Sequence, residues 1–246
     1  MVAPYDSYDY QRYWEGRDYE SICEKVALEK FFREFETRDS LVDIGGGFGR
    51  LIPFYRSFFK RCTVLDQSRK LLEIGEKKFS DVSFVQGSLP NLPFKDESFE
   101  TAVMVRVIHH LWNPAPSISE INRILVKKGY LIIEVANKIH LLSRVRAYFS
   151  GNFSYVNSLD PIDKRSPESI KENKIAFVNH HPQKILSDLE KNGFSVLDVL
   201  SVSNLRSPFI KRIVPLSILI FLEKQLQKLL GKSLLGPSVF ILAQKM

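Results

Sequence analysis

LVDIGGGFGR, residues 41–50, sets four glycines, Gly45, Gly46, Gly47 and Gly49, directly behind a short apolar run. A glycine turn after a strand lets backbone approach a ligand closely, because no side chain stands in the way. The dinucleotide pattern G-x-G-x-x-G does not fit. The third glycine of the alternating series comes one residue early, and Arg50 stands where glycine or alanine belongs. Asp43, two residues ahead of Gly45, argues further against a pyrophosphate, which a neighbouring carboxylate repels. A second carboxylate, Asp66, ends the apolar run CTVLD (62–66), 23 residues after Asp43. An acid at about that distance accepts hydrogen bonds from a ribose diol. The pair asks for an adenosine sugar and a cation, without phosphate. The other reading of the same residues is a tight strand–helix turn with two capping aspartates.

The order around this turn recurs along the chain. Residues 41–44, the glycines and LIPFYRSFF (51–59) read as strand, turn, helix. Strands follow at 62–66, 82–86, 101–108, 130–137, 194–202 and 237–244, with helices at 68–79, 116–125 and 182–193. Ahead of them, residues 19–36 have apolar side chains at helical spacing. Nearly continuous apolar strands alternating with helices imply an α/β, doubly wound, mostly parallel sheet of seven strands, covered on both faces. The stretches 138–181 and 205–236 break the alternation and read as insertions within a single domain, 1–246. In that division 1–40 is an N-terminal helical segment, 41–137 the cofactor-binding core, and the insertions an acceptor lid.

The totals set bounds. The chain has 246 residues, 44% of them apolar, enough for one large core. Cys23 and Cys62 have no metal-ligand spacing and offer no disulfide framework, so a reducing cytoplasm is the expected setting and no metal is called for. The N-terminal stretch is aromatic and acidic, unlike a secretory signal. No apolar run nears the ~18 residues of a membrane span; the longest, Ile213 to Leu222, is interrupted by Pro215. The formal charge of +7 lies wholly in residues 136–246, where 16 Lys and Arg stand against 8 Asp and Glu. That points to one basic face.

S-adenosylmethionine carries an ammonium, a sulfonium and an adenosine, and no phosphate. The chain resembles a class I S-adenosylmethionine-dependent methyltransferase, of the type found in ubiquinone and menaquinone biosynthesis. The likeness rests on VDIGGGFGR (42–50), VLDQS (64–68), GSLPNLPFKDESFETAVMVRVIHHL (87–111) and ILVKKGYLIIEV (124–135), and HHPQKILSDLEKNGFSVLDV (180–199) extends it. The resemblance implies the Rossmann-like methyltransferase fold with an antiparallel last strand. It also implies roles. Gly45, Gly46 and Gly47 lie against the cofactor, and Asp43 meets its ammonium directly or through water. Asp66 takes the ribose hydroxyls, Gln67 and Leu89 flank the adenine, and Ser88 meets the adenine amine. Arg106 offers backbone beneath the methionyl part, and Tyr13, or Arg17, reaches the methionine carboxylate; Tyr10, Tyr13 and Trp14 form an aromatic cluster there. Ser88 departs from the aspartate common at its place, Glu100 from the usual aspartate, and Tyr130 from the usual glycine.

Transfer of a methyl from a sulfonium needs alignment and exclusion of water. A base is needed only if the acceptor must lose a proton. His110, with His109 beside it, is the candidate, against a plain hydrogen-bonding role in the loop before Trp112. His180 and His181 read as loop or helix-cap residues, and His140 as a surface one. Neither the Asn-Pro-Pro-aromatic sequence of amine methylation on bases nor a placed cysteine is present, so a nucleic-acid acceptor is disfavoured. In 206–232 six cations, Arg206, Lys211, Arg212, Lys224, Lys228 and Lys232, face one acid, Glu223, around a leucine-rich helix. Such a segment is a helix packed on the sheet or against a dimer partner, or it lies on an anionic membrane surface, giving peripheral contact through 205–232, or forms a greasy lid over an apolar acceptor. The expected acceptor is a small, apolar molecule such as a quinone or lipid precursor. The alternatives are RNA or protein methylation, and a cofactor-binding regulatory protein without transferase activity.

Overall fold

The computed structural model describes residues 12–172 and 174–246; Tyr10 lies outside the described residues. Seven strands form one sheet: β1 (Ser40–Ile44), β2 (Arg61–Asp66), β3 (Ser83–Gln86), β4 (Phe99–Met104), β5 (Leu125–Ala136), β8 (Phe194–Val202) and β9 (Ser238–Lys245). Their order is β3-β2-β1-β4-β5-β9-β8. β1 to β5 are parallel, and β9 runs antiparallel between β5 and β8. A further pair, β6 (Ile162–Asp163) and β7 (Val178–Asn179), lies inside the first insertion. The sheet is therefore doubly wound and mostly parallel, with the antiparallel last strand the resemblance implies.

The near-continuous apolar runs have a simple cause. Side chains alternate between the two sheet faces, and both faces are buried. Leu41, Val64, Val103, Ile132 and Leu242 join one core. Val42, Leu65, Ala102, Ile133 and Ile241 join the other. The first is covered by α1 (Asp18–Phe32) and α2 (Ile52–Tyr55), which contribute Phe31, Phe32 and Tyr55, and by α3 (Arg69–Lys78) through Leu72. The second is covered by α4 (Ala115–Ile124) and α8 (Pro182–Lys191), through Ile118, Ile121, Ile185 and Leu189. β1 has β2 on one side and β4 on the other, so the chain reverses its winding there and a crevice opens at the strands' C-terminal ends.

Several element ends differ from those expected. β4 stops at Met104 rather than 108, because Arg106 takes a left-handed φ of 61° and residues Ile108–His110 coil into a 3-10 turn. β5 begins at Leu125, through the turn at Lys128. The helix behind the glycines is a single turn.

The first insertion carries α5 (Leu141–Phe149), α6 (Phe153–Asn157) and α7 (Pro167–Lys171); the second carries α9 (Pro208–Ile213) and α10 (Leu216–Gly231). Among the described residues no helix is long and apolar enough to cross a membrane. α10 packs on β8 and α1 with an unexpected face: its buried row is Leu219, Glu223, Gln227 and Gly231, while Leu222 and Leu229 are exposed. Glu223 is satisfied there. It accepts from the Tyr19 hydroxyl at 2.8 Å and from the amides of Ser203 and Asn204 at 2.7 and 3.0 Å. Gln227 Nε2 donates to the Cys23 carbonyl at 2.9 Å. These bonds lock the first and last helices to the end of β8.

Gly231 lets α10 touch the sheet. A Cβ there would sit 2.0 Å from the Val199 carbonyl oxygen and 2.9 Å from its carbon. Backbone cannot retreat as a side-chain tip can, so Gly231→Ala is expected to destabilise the protein by roughly 3 kcal/mol, the upper end of overpacking costs. A shift of the urea unfolding midpoint at constant slope measures it.

Candidate functional site

The glycine turn is built by the ends of β1 and β2. The amides of Gly45 and Gly46 donate to the Leu65 carbonyl at 2.7 and 3.2 Å, and that of Gly49 donates to Gly46 at 3.0 Å. Gly47 N–H donates to Asp66 Oδ2 at 2.9 Å, while Asp66 Oδ1 accepts from Ser68 N–H at 2.8 Å. Gly45 has a φ of 74°, and a Cβ on it would fall 2.3 Å from Val107 Cγ2, so only glycine fits. The Ser68 hydroxyl caps α3 by accepting from Leu71 N–H at 3.2 Å.

In front of this turn lies a cavity of about 450 Å³. Gly45, Gly47, Asp66 and Gln67 line one part of it, with Ser88 and Leu89. Arg106 and His110 line another, beside Leu111, Trp112, Ile175 and Ala176. Eight of the residues singled out in the sequence thus meet on one surface. Asp43, Gly46 and Tyr13 do not line it. Asp43 lies behind the turn on the face of Leu41, where a Cβ on Gly46 would come 2.6 Å from its Oδ2. Burial pushes its carboxyl up to about 7; Arg50 pulls it down and Asp66 raises it. The Tyr13 hydroxyl lies 3.5 Å from Arg106 Nη1, and Arg17 stacks 4.0 Å over the Tyr13 ring.

Arg165, Lys174, Ile175 and Ala176 of the first insertion reach the cavity, and no residue of 205–236 lines it. The second insertion is held against α1 and β8 by the Glu223 and Gln227 bonds instead.

Arg106 contributes its side chain as well as its backbone. Its amide donates to Glu134 Oε2 at 3.0 Å and its Nε to Glu24 Oε1 at 2.6 Å. Arg50 binds the other Glu24 oxygen at 2.7 Å. Both guanidiniums lie over the Trp14 ring, at 3.6 Å for Arg50 and 4.7 Å for Arg106. The left-handed backbone of Arg106 costs about 1–2 kcal/mol and is held by that Glu134 bond. Glu134 is buried; burial raises its pKa, and Arg106 and the Ser238 hydroxyl offset this. Glu24 and Glu134 were not singled out in the sequence. Glu134 had a signal, an acid inside the strand YLIIEVAN; Glu24 looked like any exposed position of an amphipathic helix.

His110 Nδ1 lies 2.7 Å from the Ala176 carbonyl, which only accepts, so Nδ1 carries the proton and Nε2 of the neutral ring is the acceptor. Burial lowers its pKa, partly offset by that bond, so the ring is neutral at pH 7. His109 is buried outside the cavity lining, its pKa held well below the usual range by burial. His180 contacts the Ile108 carbonyl at 3.2 Å, and His181 caps α8. His140, expected at the surface, is half-buried at the start of α5.

The comparisons with known proteins agree with this geometry. Residues 42–133 match the family model of the methyltransferase domain. This stretch is a methyltransferase domain of the class I, S-adenosylmethionine-dependent type. A demethylmenaquinone methyltransferase of Thermotoga maritima is 28% identical over 54% of this chain and 59% of its own length. An uncharacterized protein of Methanocaldococcus jannaschii is 32% identical over 54% of this chain and 62% of its own length. The chain spans about three-fifths of the length of each of these relatives. A crystal structure of an S-adenosylmethionine-dependent methyltransferase from Thermotoga maritima superposes over 100% of both chains with a TM-score of 0.68 and 22% identity, a likeness of fold.

The residues present fit the domain's cofactor. The amides of Gly45, Gly46, Gly47 and Gly49 are all engaged within the protein, so the turn aims none of them at a phosphate, unlike a dinucleotide site. What faces the cavity is a carboxylate, Asp66, which also accepts from the amides of Gly47 and Ser68.

Proposed function

We propose that the chain is an S-adenosylmethionine-dependent methyltransferase whose acceptor is a small apolar molecule, a quinone or lipid precursor. The observation that carries this reading is the glycine turn with its own amides consumed and the Asp66 carboxylate presented to the cavity. The cofactor supplies a methyl group already activated by its attachment to a sulfonium. The chain's own residues bind, align and keep out water. Asp66 would accept from the ribose hydroxyls, Gln67 and Leu89 would flank the adenine, and Ser88 would meet its amine. Gly45 and Gly47 would give the methionyl part room beside Arg106, whose guanidinium, with Tyr13 behind it, would meet the carboxylate. Asp43 and Gly46 would act from behind the turn, Asp43 as a buried negative charge felt by the ammonium.

The apolar acceptor is supported by Leu111, Trp112, Ile175 and Ala176 in the lining of the cavity, and by the demethylmenaquinone methyltransferase among the relatives. His110 Nε2 would take a proton from an acceptor that must lose one, such as a phenol. The same reading sets the protein in the cytoplasm with peripheral membrane contact through residues 205–232, and gives it no nucleic-acid partner. The test is transfer of radiolabelled methyl from the cofactor to extracted lipids, RNA and protein, kept separate. Label in the lipid fraction is expected. Label only in RNA or protein would replace the acceptor, and tight binding of S-adenosylhomocysteine with no labelled product would make the chain a binding protein.

A further inference from the structure

α5 is turned inside out. Of its nine residues only Ala147 is buried, while Leu142, Val145, Tyr148 and Phe149 project into solvent, Phe149 with 83% of its surface exposed. α9 and α10 repeat this. Phe209 is 73% exposed, Phe221 63% and Leu229 72%, while α10 buries Glu223 and Gln227 against the protein. A helix that hides its carboxylate and amide and shows Leu216, Ile218, Phe221, Leu222 and Leu229 has its natural partner on the outside.

The two segments share one corner of the molecule. Leu141 N–H donates to the Leu235 carbonyl at 2.9 Å, and Arg144 Nη2 to the Ser233 carbonyl at 3.0 Å, so α5 starts beside the end of α10. His140, just before α5, feels the charges of Arg206, just before α9, and of Arg146. Both segments follow the C-terminal ends of parallel strands, β5 and β8, the side on which the cavity opens.

Charge selects the occupant. Every exposed charge in 141–157 and 205–236 is positive: Arg146, Arg206, Arg212, Lys224, Lys228 and Lys232. Lys224, Lys228 and Lys232 recur every fourth residue, a row alongside the apolar stripe of Ile218, Leu222 and Leu229. A second copy of this chain would bring like charges together. A bilayer with anionic headgroups offers the opposite charge at the rim and an apolar boundary for the rings, the two requirements of an interfacial helix.

We infer that α5–α6 and α9–α10 together form a docking face for an anionic lipid membrane, with Tyr148, Phe149, Phe209 and Phe221 entering the headgroup–acyl boundary. The inference rests on the proposed membrane contact of 205–232 and extends it to a second pair of helices; it does not depend on what the acceptor is.

Co-sedimentation of the full chain, without cofactor, with vesicles of phosphatidylglycerol and phosphatidylcholine in equal parts tests it. Binding is expected at low salt, much weaker binding to phosphatidylcholine alone, and partial release by salt. Each lysine near an anionic surface strengthens partitioning about fivefold, so Lys224→Gln/Lys228→Gln/Lys232→Gln should weaken it about a hundredfold. Phe149→Ser, on the other insertion, should weaken it at least about tenfold by loss of buried apolar area. Calorimetry with S-adenosylhomocysteine should give wild-type affinity for both variants, which reports folding separately from docking. No sedimentation with the anionic vesicles, binding indifferent to the three lysines and Phe149, or a stable dimer by sedimentation velocity in place of vesicle binding would each overturn the inference. Methyl transfer to a soluble acceptor would leave it standing, so its failure and that of the proposed acceptor are separate results.

Discussion

Asp66→Asn is expected to weaken binding of S-adenosylhomocysteine by two to three orders of magnitude. Two effects combine. The carboxylate would accept two charge-assisted hydrogen bonds from the ribose, each worth about 1.5–3 kcal/mol, and the amide replaces them with at most one neutral bond. The second effect is internal. Asp66 accepts from Gly47 N–H at 2.9 Å through one oxygen and from Ser68 N–H at 2.8 Å through the other. Asparagine has a single oxygen, so its NH₂ must face one of those donors, and either the glycine turn or the cap of α3 loses its anchor. Together these amount to about 3–4 kcal/mol, which is roughly a 100- to 1,000-fold rise in Kd. Isothermal calorimetry decides it. A rise below tenfold would remove Asp66 from the ribose, and a normal affinity for NAD in either protein would overturn the reading of the turn itself.

Much of the sheet was legible because its strands are buried on both faces. A strand such as LVDI or YLIIEVA needs no partner in the sequence to declare itself, since apolar residues fill both sides. The cavity's carboxylate had a signal of a related kind: Asp66 ends such a strand, as a lone charge closing the apolar run CTVLD. Arg106 shows where reading stops. Its partner Glu24 lies 82 residues away, and the left-handed turn that aims its amide at Glu134 has no signature in the neighbouring residues. α10 shows a deeper limit. Helical spacing puts Leu219, Leu222 and Leu229 near one face, yet only Leu219 of the three is buried; the inside of this helix is set by Tyr19, Ser203 and Asn204, which supply donors for Glu223. The cavity wall at Ile175 and Ala176 was invisible, because those residues enter through backbone placed by β7 and by the His110 bond.

Asp43→Asn should remove the pH dependence that the wild-type turn imposes on stability. Burial behind Gly46 pushes the Asp43 carboxyl from 3.8 up to about 7. A group with a raised folded pKa binds its proton more tightly in the native state, so its contribution is fully present below pH 4 and is lost as pH rises through 7. The full swing is roughly 4 kcal/mol, of which about 2.5 falls between pH 5 and pH 8. Buried His109, His110 and His180, whose pKa values are lowered chiefly by burial, slope the other way, gaining stability as pH rises through their ordinary range. The difference between wild type and Asp43→Asn removes them, since both proteins share these histidines. Urea unfolding at pH 5 and pH 8 should therefore show the variant gaining about 2.5 kcal/mol on the wild type across that interval. Ligand binding carries the same charge. An ammonium held in front of the turn favours ionised Asp43, so affinity for S-adenosylhomocysteine should rise from pH 6 to pH 8 in the wild type and stay flat in Asp43→Asn. Parallel stability curves would mean that the carboxyl is not held protonated behind the turn. Parallel affinity curves with divergent stability would place the ammonium beyond its reach.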